Sequence, residues 1–190
     1  MSRLKPLLPS EMTEDQLKYH EIIMQRPIFK DYPKSAPLEG PYNPWVRSPK
    51  FARSMTEMST YVREDGILEE RLVELAIITV GRVWSAEFEF AAHAPRAVKA
   101  GISQAAVDTI SRNEEPQFEK ADETAVYNFA LNLTKNCRVD DATYQAAVEQ
   151  IGEQGLVELI GLMGFYVMVC MTLNTFEVHL VEGMENPFSK

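Results

Sequence analysis

Apolar positions along this chain recur mostly at three- and four-residue steps, with little of the strict alternation of a half-buried strand, so an all-α fold is expected. Leu72, Leu75, Ala76 and Thr79 set the pattern in the most apolar part of the first hundred residues, ERLVELAIITVGRVWSAEFEFAAHAPRAVKAG from Glu70 to Gly101. Gly81 with the Trp84-Ser85 pair reads as a break, and Ser85 followed by acids at positions 87 and 89 as the start of a second helix. Pro95 either kinks that helix or opens the next, and Gly101 reads as a C-terminal cap. Upstream, Phe51, Met55, Met58 and Val62 mark an amphipathic helix closed by Gly66. Downstream, Ser103 caps a short helix over 105–112, Asp122 and Glu123 open one striped by Ala125, Phe129 and Leu133, and Asp140 or Asp141 caps one over 142–151. The stretch 154–181 is apolar on almost every face, which places it in the core or against another subunit.

The first 40 residues read as an N-terminal arm holding one short helix, capped by Ser10 or Thr13 and ended near Pro27. Prolines at 33, 37, 41, 44 and 49 then forbid helix and favour an extended connection. Within it Trp45, Tyr42 and Asn43 are either a hydrophobic anchor or the wall of a pocket. Residues 41–190 read as a single helical domain. The tetrapeptide Leu72-Val73-Glu74-Leu75 recurs as Leu156-Val157-Glu158-Leu159, each copy leading into an apolar helix, which suggests duplicated helical units.

Composition narrows the function classes. The 190 residues are 45% hydrophobic and 25% charged, ordinary for one globular domain. No uninterrupted apolar run reaches the roughly 18–20 residues of a membrane span. The start MSRLKPLLPSEM is too polar and proline-broken for a secretory signal, so a cytoplasmic location is expected. A net charge of −9 argues against nucleic acid, while a local Arg can still hold an anionic small molecule. Cys137 and Cys170 form no metal or redox motif and read as buried free thiols. His20, His93 and His179 are too scattered to suggest a metal site.

The candidate chemistry lies in the central block. Glu89 and His93 are four residues apart on one helix, so the carboxylate can orient the imidazole and raise its pKa. The alternative is an ordinary surface ion pair worth about 0.3–0.5 kcal/mol, against which Phe88, Phe90, Ala91 and Ala92 surround the pair with apolar surface. Glu74 has two open readings: an exposed partner of Arg71 or Arg82, or a partly buried carboxylate sharing a proton with His93.

The block RLVELAIITVGRVWSAEFEFAAHAPRAVKAGIS resembles the core motif of the carboxymuconolactone decarboxylase family, within the alkylhydroperoxidase-like superfamily; the resemblance extends upstream to GPYNPWVRSPKFA and downstream to GFYVMVCMTLNTFEV. It implies an all-helical fold of duplicated helical units, assembled as homo-oligomers, trimers or hexamers. The peroxidase branch carries a Glu, then Cys-x-x-Cys, then a His four residues after the second cysteine. Glu74 and His93 match, but the cysteine positions hold Ala86 and Glu89, so a peroxidase-type disulfide cycle has no thiols there. The resemblance therefore points to the decarboxylase-like branch.

Loss of CO2 from a lactone acid leaves an enolate that needs a hydrogen-bond donor and a proton delivered to carbon. On this reading His93 is the acid, with Glu89 or Glu74 setting its charge. Trp84, Phe88 and Tyr166 wall the pocket, Arg71 or Arg82 holds a second carboxylate, and neither a metal nor an organic cofactor is required. The alternative from another class is a non-catalytic oligomer that binds a small molecule.

Overall fold

The computed structural model describes residues 2–188, and among them the regular structure is entirely helical. Eight α-helices run in chain order: α1 Glu14–Ile23, α2 Tyr42–Trp45, α3 Pro49–Thr60, α4 Glu70–Val83, α5 Glu87–Ala100, α6 Gln104–Ser111, α7 Ala121–Asn136 and α8 Asp141–Thr175. Helix α4 is the mast. Every residue from Arg71 to Gly81 is buried, and the helix divides two apolar clusters. Leu72, Val73, Ala76, Ile77 and Val80 face α7 and α8, packing with Phe129, Leu159, Leu162 and Val169. Leu75 and Ile78 face the other way, toward Phe90 and Ala97 of α5, Ile102 of the connection that follows, and Val107 and Ile110 of α6.

The turn between α4 and α5 corrects the sequence expectation. Gly81 does not break the helix, which runs on to Val83. Ser85 is the terminator: it takes a left-handed φ of 49°, its N–H donates to Arg82 O at 3.0 Å, and that of Ala86 donates to Gly81 O at 2.9 Å. This pairing satisfies carbonyls that the helix end would otherwise orphan. The N-cap of α5 is then Ala86, not Ser85. Pro95 is accommodated inside α5, and Gly101 closes it at φ 115°.

The proline-rich connection also departs from expectation, because Tyr42–Trp45 forms one helical turn. Pro44 is tolerated there because the N–H groups of a first turn have no intrahelical partner to lose. Trp45 combines both readings of it. It is buried, its Nε1 donates to Thr172 Oγ1 at 3.2 Å, and its ring meets Tyr42 and Phe165 edge-on. The N-terminal arm joins the main core, for Tyr19, Ile23, Phe29 and Leu38 pack in the same cluster as α4 and α8.

Past α3 the chain makes a π-helical turn, Tyr61–Asp65, before Gly66. Glu158 holds the end of that turn by accepting from Ile67 N at 2.7 Å and Tyr61 Oη at 3.4 Å. The sequence echo of Glu74 thus lies on the surface, while Glu74 itself is 1% exposed.

Helix α8 merges the two helices expected from the sequence across a kink at Gly152, whose φ of 70° favours glycine. It ends at Thr175, short of position 181. By length and composition it could cross a membrane, contrary to the reading of apolar runs, yet 56% of its most apolar stretch is buried within the fold. Cys170 is buried as expected; Cys137 is not, and lies exposed in the left-handed position that ends α7.

Candidate active site

Helix α5 carries Phe88, Glu89, Ala92, His93 and Arg96 on one face at steps of one, three and four residues, and that face forms one wall of a cavity of about 440 Å³. Tyr42 and Trp45 from α2, Ser59 from α3, Arg63 and Glu64 from the π-turn, and Phe165, Tyr166 and Val169 from α8 supply the others. Arg26 and Pro27 from the arm, with Pro41 at the start of α2, complete the rim. The volume and the aromatic lining suit a small organic ligand.

At its inner wall one imidazole lies between two carboxylates. His93 Nδ1 is 2.5 Å from Glu74 Oε2, and Nε2 is 3.1 Å from Glu89 Oε1. The three residues are 6%, 1% and 3% exposed for His93, Glu74 and Glu89 respectively. Only an imidazolium can donate to both carboxylates at once. Burial opposes that charge, but the Glu89 charge and the hydrogen bonds to Glu74 and Glu89 outweigh it and raise the pKa of His93. Burial likewise opposes the Glu74 charge, and the hydrogen bond and charge of His93, with Arg63 and Arg96, outweigh it and lower the pKa of Glu74. Arg63 Nη2 reaches Glu74 Oε1 at 3.4 Å, so the buried carboxylate has a partner on each oxygen.

Tyr166 stands edge-on to the His93 ring, with centroids 5.3 Å apart and planes at 80°. Burial pushes its phenol well above the usual range, so it stays a neutral donor. Phe88 lies over Gly40, where an added Cβ would come within 2.8 Å of the ring. Gly40 has a φ of 57°, so the backbone there both turns and makes room for the cavity wall.

Of the residues expected from the sequence, Glu74, Glu89 and His93 come together, and Phe88 and Tyr166 line the cavity beside them. Arg71, Arg82 and Trp84 do not line it. The Arg71 guanidinium is taken by Glu69 at 3.0 Å, by Glu123 at 3.0 Å and by Asp122, tying the start of α4 to the acidic start of α7. Arg82 donates to Ser111 O at 2.8 Å and lies 4.6 Å over the Phe188 ring. Trp84 ends α4, and its carbonyl accepts from Asn174 at 2.8 Å. Sequence reasoning missed Arg26, Arg63, Arg96 and Ser59. Arg96 had a signal, one turn beyond His93 on the face that holds Glu89; the others arrive from elements whose packing the sequence does not state.

His20 Nε2 donates to Ala36 O at 2.9 Å, and His179 is exposed, so neither joins the site. Among the described residues no group of three or more His, Cys, Asp or Glu is arranged to hold a metal ion. Cys170 is buried, and burial holds its thiol far above the ordinary range, where a thiolate is suppressed.

The comparisons agree with this architecture. The sequence model of the carboxymuconolactone decarboxylase family matches residues 49–131, which include Glu74, Glu89 and His93. No curated protein matches the chain. A peroxidase-related protein with the alkylhydroperoxidase AhpD core from Ralstonia eutropha JMP134 superposes with a TM-score of 0.76 at 14% identity, covering 98% of this chain and 94% of that one. A putative antioxidant defence protein AhpD from Agrobacterium tumefaciens gives 0.65 at 17% identity over 73% of this chain and 96% of that one. A variant of the debrominase Bmp8 in complex with 2,3,4-tribromopyrrole gives 0.70 at 11% identity over 96% and 95%. At such identities these structures share the fold alone. The chain has the AhpD-like all-helical fold, and it carries the pattern of the carboxymuconolactone decarboxylase family over residues 49–131.

Proposed function

We propose that this chain is a cofactor-independent, decarboxylase-like lyase acting on a small carboxylated lactone or related ring compound through acid–base chemistry of His93 and its two carboxylates. The observation that carries the reading is the Glu74–His93–Glu89 array, buried yet set in the wall of a ligand-sized cavity. Because both ring nitrogens are engaged, the donor that meets substrate is Glu89, and His93 acts one step behind it. The carbon–carbonyl-carbon bond of the carboxylate breaks, CO2 leaves, and the electron pair passes into an enolate. A proton from His93 Nε2 travels through Glu89 to the carbon, and Glu74 holds the ring through Nδ1. Tyr166, a neutral phenol at the same wall, supplies a hydrogen bond to the enolate oxygen.

Support also comes from the family match and from the small planar ring held by Bmp8, a protein of the same fold. A peroxidase-type oxidoreductase fits less well, since Ala86 and Glu89 stand at the positions of the paired thiols. The second reading is a non-catalytic binder of small molecules, favoured by the saturation of both His93 nitrogens. One assay separates them: purified protein with carboxylated lactones, followed by CO2 release and ultraviolet change. Turnover that vanishes in His93→Gln supports the lyase; binding without turnover across the panel supports the binder.

A further inference from the structure

Glu158, the sequence echo of Glu74, is joined to it through one turn of chain. Its carboxylate reaches from α8 to the π-helical turn and takes a hydrogen bond at each end of it. Tyr61 Oη donates to Oε1 at 3.4 Å, and Ile67 N donates to Oε2 at 2.7 Å. Gln154 Nε2, one turn earlier on α8, donates to Oε1 at 3.0 Å. The hydrogen bonds from Gln154 and Ile67 hold the Glu158 carboxyl below the usual carboxylate range, so it is a charged acceptor at neutral pH. Gly66 makes this approach possible. A Cβ there would come within 2.8 Å of Oε2, although its φ of −73° is open to any residue.

Between those two hydrogen bonds the turn carries Arg63. Its Nη2 meets Glu74 Oε1 at 3.4 Å, the oxygen that His93 leaves open by taking Oε2. That contact is long, and Arg63 Nε is buried without a hydrogen-bond partner among the described residues. An unpaired buried donor is unfavourable, so the guanidinium does not hold itself in place and the backbone must. Val62 anchors the start of the turn in the core. From Glu64 to Ile67 the chain is exposed or half-buried, fastened by Glu158 and by a 3.7 Å ion pair of Glu64 with Arg26. We infer that Glu158 is a positioning residue for the buried array: by pinning both ends of the π-turn it keeps Arg63 on the second oxygen of Glu74. The charged or titratable groups that face Glu74 and His93 are Glu89 and Arg96 from α5, Arg63 from the turn and Tyr166 from α8. Of these, Arg63 is the one carried by a turn rather than by a long helix. Withdrawing it removes a cation that competes with the imidazolium for Glu74, so His93 then keeps its proton to higher pH. For catalysis this rests on the lyase reading, in which His93 supplies the proton; for the titration of His93 it rests on the geometry alone.

The chain has three histidines, so proton NMR can follow the His93 ring through a pH titration, its signal assigned by its loss in His93→Gln. Arg63→Gln should move the His93 titration to higher pH. Glu158→Ala should move it the same way, by about half of that shift or more. Gly66→Ala should do likewise, because its methyl group displaces the carboxylate without deleting it, and it serves where Glu158→Ala does not fold. Glu158→Gln keeps an oxygen for Ile67 N and should restore most of the unmodified curve. Added to Arg63→Gln, Glu158→Ala should shift nothing further, since the cation it positions is gone. A carboxylate that only stabilises the fold would lower the urea midpoint in Glu158→Ala and Gly66→Ala yet leave the His93 titration where it is. That result overturns the inference, as does a titration unmoved by Arg63→Gln, or a Glu158→Ala shift that is equal with and without Arg63. No substrate enters the experiment, so its outcome is independent of whether any lactone is decarboxylated.

Discussion

Glu74 and His93, nineteen residues apart in sequence, meet at 2.5 Å between Oε2 and Nδ1, one from the buried middle of α4 and the other from the second turn of α5. The contact joins the mast of the fold to the wall of the cavity, so the same pair bears on stability and on chemistry.

Its pH dependence follows from the directions of the two shifts. His93 has a raised folded pKa, so its contribution is full below the unfolded value near 6.5 and is lost as pH rises through the raised value. Glu74 has a lowered folded pKa, so its contribution is full above the unfolded value near 4.3 and is lost as pH falls through the lowered value. Urea midpoints should therefore be highest between about pH 4.5 and 6.5 and decline on both sides. Glu74→Gln should flatten that profile and lower the maximum. A profile that keeps its shape in the variant would show that the pair is not the titrating element.

Turnover should respond differently at the three residues. His93→Gln is expected to lower kcat by about 10²–10⁴-fold, the usual range for losing acid–base help. Glu89→Gln should do the same, because the group that meets substrate is gone. Glu74→Gln should instead retain part of the rate and move the basic limb of kcat/KM to lower pH, since removing its charge and hydrogen bond lowers the pKa of His93. An unmoved limb would make Glu74 purely structural.

Thiol chemistry should be dispensable. Replacing both Cys137 and Cys170 by Ser should leave turnover intact, with a stability loss of about 1–3 kcal/mol from the hydroxyl buried at position 170. Complete loss of turnover with the circular dichroism preserved would restore a redox mechanism.

Self-association is expected through α8. Val157 is 69% exposed, Ile160 47% and Met171 47%, and with Gly164 and Met168 they trace one stripe at three- and four-residue steps. Light scattering should give trimers or hexamers, and Val157→Glu with Ile160→Glu should shift the population to smaller species. A monomer at micromolar concentration in the unmodified protein rules this out.

What the sequence by itself determined is local. Helical periodicity marks α3 to α8, Asp140 accepts from Thr143 N as an N-cap should, and Glu89 and His93 are neighbours because four residues make about one helical turn. The pairing of Glu74 with His93 is half legible: the hairpin of two helices allows it, but exposure to Arg71 or Arg82 was equally consistent until packing buried the carboxylate. Only the tertiary structure decided which arginines matter. Arg71 and Arg82 are near the site in sequence, yet the acids of α7 and the end of α6 engage them first. Arg63 and Arg26 lie outside the central block and enter through a π-turn and the docking of the arm. A charged side chain goes wherever the assembled elements offer a counter-charge or a cavity, and that choice is made by packing between segments, which no local spacing encodes.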